Sequence, residues 1–448
     1  MQRISADGVA RDDDRGEVPG EARGLTICYS VFLLIAVGRV HELVPSLRSL
    51  PIAKVAMALA VIQLLVKWRQ LPKLPAIGVP LARNAGFLVA LAILLTPVSI
   101  WPGASVAFLY QELPVLAATV ILSFKVSGNW RQLQNVGRML VVSALLLALS
   151  ALAGFQGGRA SSATGAYDPN DLAYVLVSVL PIAISFALNS KTTIRRVLNV
   201  TLAITLVVAT LLTSSRGGFF GLLAVLGFMV LRPIRRPPLQ GTTGKMRRII
   251  PSLFGVLVLA AVIWPNLPFD TRARLASVIM LGSDYNMDAD NSHSRSNIWR
   301  RNANAVLHRP IGFGINSFPM VDIRTGGQFK AAHNSYLEAL VELGFVGFVL
   351  FVRVYTLSWR ILGSVRRALL AAPHNDERDA MLVFARMLQA ALLGSAVAGF
   401  FLSMAYSSLL WTLVGTTLGC AAAATRLTEI ASRSLSSIPT PVTQHSPT

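Results

Sequence analysis

The chain reads as an all-α, polytopic membrane protein of about 12 transmembrane helices with one long periplasmic loop. Three observations predict this. Of its 448 residues, 53% are hydrophobic and only 14% charged, whereas an average soluble domain carries ~25% charged residues. The mean hydropathy is +0.57, and apolar runs recur so often that twelve helices of ~20 residues would fill more than half of the chain. Finally, the basic residues gather in short loops between those runs. Together these exclude an ordinary water-soluble enzyme.

The order of elements follows from the apolar runs. Residues 1–24 are polar and mixed in charge, a cytoplasmic tail and not a cleavable signal peptide. Spans are expected near 25–38, 50–66, 84–100, 104–124, 136–155, 172–189, 197–213, 217–231, 249–264, 335–357, 381–402 and 405–424. The first is short, and the fourth is interrupted by Pro114. Residues 25–424 thus form one membrane domain, residues 265–334 its periplasmic loop, and residues 425–448 a cytoplasmic tail ending in a Ser/Thr/Pro-rich stretch from Ser434.

Orientation rests on charge. With the N-terminus inside, the inner segments hold 28 of the 41 Lys and Arg residues and the outer ones 12. The segment with Arg232, Arg235, Arg236, Lys245, Arg247 and Arg248 has no acid at all. The net charge of +20 therefore reflects orientation and contact with anionic membrane lipid, and no nucleic-acid partner is expected. Cys28 and Cys420 fall in apolar runs and give neither a disulfide framework nor zinc-ligand spacing.

Four stretches carry polar chemistry. TSSRGGFFG, residues 213–221, sets Arg216 at a tight outer turn where glycines allow close packing; an arginine snorkelling to head groups is the competing reading. RSNIWRRNANAVLHRPIGFGINSF, residues 295–318, places Arg295 and Trp299 four apart, on one helical face, before Pro310, Gly312 and Gly314 turn the chain. HNSYLEALVELGFVGF, residues 333–348, begins with His333 at the membrane boundary and carries Glu338 and Glu342 one turn apart in an apolar span. YDPNDLAY, residues 167–174, reads as a helix start with Asp168 as N-cap and Pro169 in the first turn. Asp284, Asn286, Asp288 and Asp290 alternate like the start of a calcium loop, but Ala289 and Arg295 occupy the required glycine and glutamate positions. No metal or cofactor is expected.

In combination, S-R-G-G, R-x-x-x-W with P-x-G-x-G, and H-N-S-Y-L-x-x-L-x-E-x-G resemble the O-antigen ligase and polymerase family of bacterial membrane proteins, from roughly Asp168 to Phe351. The resemblance implies a fold like the glycosyltransferase C superfamily in the inner membrane. It implies a metal-independent transfer of glycan from undecaprenyl diphosphate, on the periplasmic face, to a hydroxyl of another glycan, lipid A core or protein. It puts the donor diphosphate on Arg216 and Arg295 and the base on His333; Asn334, Glu342, Trp299 and Asp168, in or beside the same motifs, are candidate supporting residues. The DPND element is similar to a subset associated with exopolysaccharide assembly.

Charge bias, argued independently of the motifs, sets Arg216, Arg295 and His333 on the same outer side. Planar arginine forks there would pair with phosphate oxygens. A neutral histidine would accept the acceptor proton, with the rate rising as a group near pH 6–7 deprotonates. A base opposite the leaving group implies inversion. The competing classes are a polysaccharide flippase or other transporter, supported by Lys54, Glu112, Glu338 and Glu342 in or near spans, and a non-catalytic membrane subunit of an assembly complex.

Overall fold

A computed structural model describes residues 20–43, 45–47, 50–162, 165, 167–232, 255, 261–277 and 294–436. Among them every regular element is helical: α1 (Gly20–Ala36), α2 (Val40–Leu43), α3 (Ile52–Val66), α4 (Val79–Leu95), α5 (Pro102–Gln111), α6 (Leu113–Val126), α7 (Trp130–Ala153) and α8 (Pro169–Leu188). There follow α9 (Thr193–Leu212), α10 (Arg216–Leu231), α11 (Phe269–Ala276), α12 (Arg295–His308), α13 (Phe318–Arg324), α14 (Ser335–Ala371), α15 (Asp376–Gly399) and α16 (Ser408–Ser436). The Asp284–Asn291 acidic stretch, most of the expected span at 249–264 and Arg235 to Arg248 lie outside the described residues.

Among the described residues seven helical stretches are long and apolar enough to cross a membrane: α4 with its flanking turns, the α5–α6 pair, α7, α8, α9, α15 and the first part of α16. Three further apolar helices, Gly24–Ala36, Ile52–Val66 and Arg216–Leu231, are shorter. Leu65, Val66, Leu94, Ile194 and Leu231 are each at least 66% exposed. An apolar belt of that extent suits lipid tails and not water.

Three boundaries differ from expectation, each for a local reason. The fourth span splits into α5 and α6 at Glu112, with Pro114 in the first turn of α6, because proline removes a backbone donor and suits a helix start. The expected span 335–357 is the front of a 37-residue helical stretch that is broken at Gly344. Its back half continues because Ser358, Ile361, Leu362, Val365 and Leu369 recur at helical spacing and are buried. Helix α16 likewise runs on to Ser436, past the position 425 where a tail was expected.

Helices α8, α15 and α16 are the most buried spans and form the centre. Helix α8 packs on α9, α10 and α15, while α14 packs on α4, α15 and α16. Above α14 sits a separate small core, made by Ile298, Val306, Phe318, Val321, Ala332, Leu337 and Val341. This cap of α12 and α13 on the first turns of α14 holds the candidate site in place.

Candidate active site

Each site residue is fixed by local backbone chemistry. Asp168 caps α8, accepting from the amides of Asn170 and Asp171 at 2.6 and 2.8 Å. The turn from α9 to α10 is only Thr213–Ser215, with Ser214 at φ +51° and the Ser215 hydroxyl accepting from the Gly218 amide. At Gly218 a Cβ would lie 2.4 Å from that of Ala173, so glycine is needed for α10 to lie against α8. Arg216 opens α10 and donates to the Ser277 hydroxyl at 2.8 Å.

Helix α12 starts at Ser294, whose hydroxyl caps the Asn297 amide. Arg295 follows immediately and donates to the Phe401 carbonyl at 3.3 Å. One turn on, the Trp299 indole donates to the Ala332 carbonyl at 2.9 Å, so the Arg295 helix grips the residue before His333. His333 itself sits at φ +47° and donates its backbone N–H to the Ser403 hydroxyl at 2.9 Å. Asn334, not His333, caps α14, accepting from the Tyr336 and Leu337 amides. A histidine in the left-handed region, one step before a complete cap, is held away from the role of an ordinary helix start.

The connection between α15 and α16, residues 400–407, is the bracket that joins these parts. Phe401 takes Arg295 and Ser403 takes His333, two residues apart. Met404 and Ala405 return their amides to Ser335 and Glu338, and Tyr406 donates to Glu342 at 2.9 Å. Nothing in the sequence marks this loop, because its contacts are mostly backbone carbonyls and amides that any residue supplies.

Glu342 is a tether. It is 2% exposed, accepts from Tyr406 and from the Phe318 amide, and so ties the base of α13 to α14. Next to it the P-x-G-x-G turn docks into a break in α14. Phe313 and Gly314 donate to the carbonyls of Val341 and Glu342 at 2.9 Å, and Phe345 donates to Pro310 at 3.1 Å. Gly344 has φ +69° and a Cβ there would lie 2.3 Å from the Pro310 carbonyl, so the two glycine motifs fit each other. Neither Glu338 nor Glu342 is seen to bond the His333 imidazole.

Electrostatics draws the parts into one site. Burial first, then Arg295 and Lys330, push the His333 imidazole down to about 4 against the opposing pull of Asp168. That lies below the pH 6–7 midpoint expected from sequence. The Arg295 guanidinium is also pushed down, by burial and by Arg216 and Arg274, with Asp168 opposing. Two arginines that sequence reasoning missed, Arg159 and Arg274, belong here. Arg159 is lowered to about 10 by burial and then by Arg274, with Arg295 and Arg216 contributing. A sequence signal did exist: Arg159 is the one basic residue between Met139 and Asn189, on a connection that the expected topology puts outside, where charge bias disfavours it.

Beside Tyr406 an apolar cleft of about 590 Å³ opens among α4, α5, α6, α14 and α16, lined in part by Leu88, Phe108, Leu116, Ile315 and Leu343. Among the described residues no group of three or more His, Cys, Asp or Glu side chains is disposed to hold a metal ion.

No curated protein matches the chain. A family model described as O-antigen ligase matches residues 201–352, the stretch that carries Arg216, Arg295, Trp299, His333 and Glu342. Proteins of that family have a glycosyltransferase-like activity on lipid-linked glycans in membranes. With its apolar helices the chain is a polytopic membrane protein, and its central stretch, residues 201–352, is similar to the O-antigen ligase family.

Proposed function

We propose that this protein transfers a glycan from undecaprenyl diphosphate to an acceptor hydroxyl at the outer face of a bacterial inner membrane, spanning it twelve times with both termini inside. The observation that carries the reading is the convergence of Arg216, Arg295 and His333, from three separate sequence motifs: Arg295 and His333 bond Phe401 and Ser403 of one loop, and Gly217, next to Arg216, lies against Phe401, in a chain that also carries an apolar cleft. A polyprenyl diphosphate has a matching form, an apolar chain with an anionic head.

The chemistry follows from where charge moves. The acceptor oxygen attacks the anomeric carbon, and the C–O bond to the diphosphate breaks with its electron pair going to the departing phosphate oxygen. Arg216 and Arg295 meet that growing charge, and one well-placed donor is commonly worth ~2.7–4 kcal/mol. The acceptor proton passes to the neutral His333 imidazole and then to water. Attack opposite the leaving group inverts the anomeric centre, and no metal is required for these steps.

Donor binding would also tune the base. Arg295 is one of the groups that hold the imidazole down. A bound diphosphate offsets that positive charge, so His333 becomes a stronger proton acceptor when the donor is present.

The test uses purified protein and the lipid-linked glycan that accumulates in a strain lacking it. Acceptor-dependent release of undecaprenyl diphosphate supports transfer. Movement of intact donor across proteoliposomes without release would favour the transporter reading. Reporter fusions at Gly241 and Asn291 are expected to read inside and outside respectively; the same side for both would remove the topology.

A further inference from the structure

Two arginines outside the recognised motifs converge on the turn that presents Arg216. Arg159, from the α7–α8 connection, donates through Nε to the Thr213 carbonyl at 3.0 Å. Arg274, from α11, donates through Nε to the adjacent Ser214 carbonyl at 3.2 Å. The loop is closed by Arg216, which bonds Ser277, whose hydroxyl bonds the Arg274 carbonyl. Three arginines from three elements are thus locked to one short turn, and Arg295 lies within their electrostatic reach.

The way they are held matters. Arg274 uses only Nε; its terminal nitrogens make no hydrogen bond to the described residues. Arg159 uses Nε and one terminal nitrogen, the latter on Asn170 at 2.7 Å. Anchoring the inner edge of a guanidinium to the backbone fixes its plane, which leaves Arg274 both terminal nitrogens and Arg159 one with which to meet phosphate oxygens. Among the described residues neither Arg159, Arg274 nor Arg295 forms an ion pair, and Asp168 is the carboxylate that acts on Arg159 and Arg295. Like charges crowded in this way repel one another unless an anion sits among them.

We infer that Arg159 and Arg274 extend the donor site so that it takes a diphosphate in preference to a monophosphate. The inference rests on the donor reading above. Two cations suffice for one phosphate. Four cover both phosphates and the extra negative charge that the leaving group gains. They also retain the departing lipid diphosphate more firmly than a recycled lipid monophosphate, so the site separates the two forms of the carrier by charge.

The experiment uses full-length protein in phosphatidylcholine nanodiscs, so that no anionic head group competes. Binding of undecaprenyl diphosphate and undecaprenyl monophosphate is measured, with inorganic pyrophosphate as competitor. The wild type is expected to prefer the diphosphate by about tenfold or more, as one or two charge-assisted bonds give. Arg159→Gln and Arg274→Gln are expected to lower that ratio severalfold while monophosphate binding persists. Arg159→Lys and Arg274→Lys are expected to fold as the wild type and recover part of the ratio. An unchanged ratio in all four variants overturns the inference and leaves the donor reading standing. Failure of the wild type to bind either lipid overturns both. Displacement by pyrophosphate as readily as by lipid diphosphate overturns the lipid-carrier assignment.

Discussion

Arg295 and Arg301 stand on the same helix, six positions apart, and the structure treats them in opposite ways. Arg301 reaches Asp322 at 3.0 Å, and that carboxylate is fully buried, with Asn302 and the Gln328 amide as further donors. Arg295 bonds one carbonyl, and among the described residues no carboxylate lies within ion-pair distance of it. One arginine is neutralised by its fold; the other is held by a carbonyl that leaves its positive charge in place. The comparison teaches that two arginines on one helix differ in what answers their charge, and an arginine that no carboxylate answers is the better candidate to meet an anionic ligand.

The contrast breaks most visibly at Asp322. Asp322→Ala leaves Arg301 without its partner, and losing one member of such a pair typically costs ~3–5 kcal/mol. The cap of α12 and α13 should loosen, read as a lower melting temperature in detergent. Arg295→Lys is the complementary case. It keeps the charge but loses the planar fork, so transfer should fall about tenfold or more at an unchanged melting temperature. Loss of stability without a separate loss of turnover would make Arg295 a second Arg301.

The pH dependence sharpens the comparison from the side of the base. Because the His333 imidazole is held to about 4, kcat/KM should be flat through neutrality and fall only as pH drops towards that value. The kcat profile, which reports the donor-bound state, should show its acid limb at higher pH. The same shift acts on stability. The folded pKa is depressed, so the contribution is full above the unfolded value of about 6.5 and is lost as pH falls through about 4. Identical limbs for kcat and kcat/KM would separate His333 from the donor charge. The smallest effect belongs to Trp299→Phe, which keeps the edge contact with Phe400 but drops one hydrogen bond to Ala332. That bond is worth ~0.5–1.5 kcal/mol, so kcat should fall less than about tenfold with donor binding unchanged.

Much of the fold was legible because long apolar runs leave a chain few options in lipid. The extension of α14 to Ala371 was hidden from a hydropathy reading by Arg353, Arg360, Arg366 and Arg367. The spacing of Ile361, Leu362, Val365 and Leu369 carries it instead. In the candidate site, motif and expected sidedness singled out Arg216, Arg295 and His333, and the capping pattern singled out Asp168, which does cap its helix. The 400–407 bracket was not, since Phe401 acts through a carbonyl and Ser403 belongs to no motif. Nor was the role of Glu342, whose partners at Phe318 and Tyr406 are 24 and 64 residues away.

The most direct measurement is made at His333. Purified His333→Ala should still bind the lipid-linked donor, because Arg216 and Arg295 remain, while single-turnover transfer falls by ~10²-fold or more. Near-wild-type turnover in that variant would contradict the assignment of His333 as the base, and loss of donor binding with no separate chemical defect would make it a donor ligand instead.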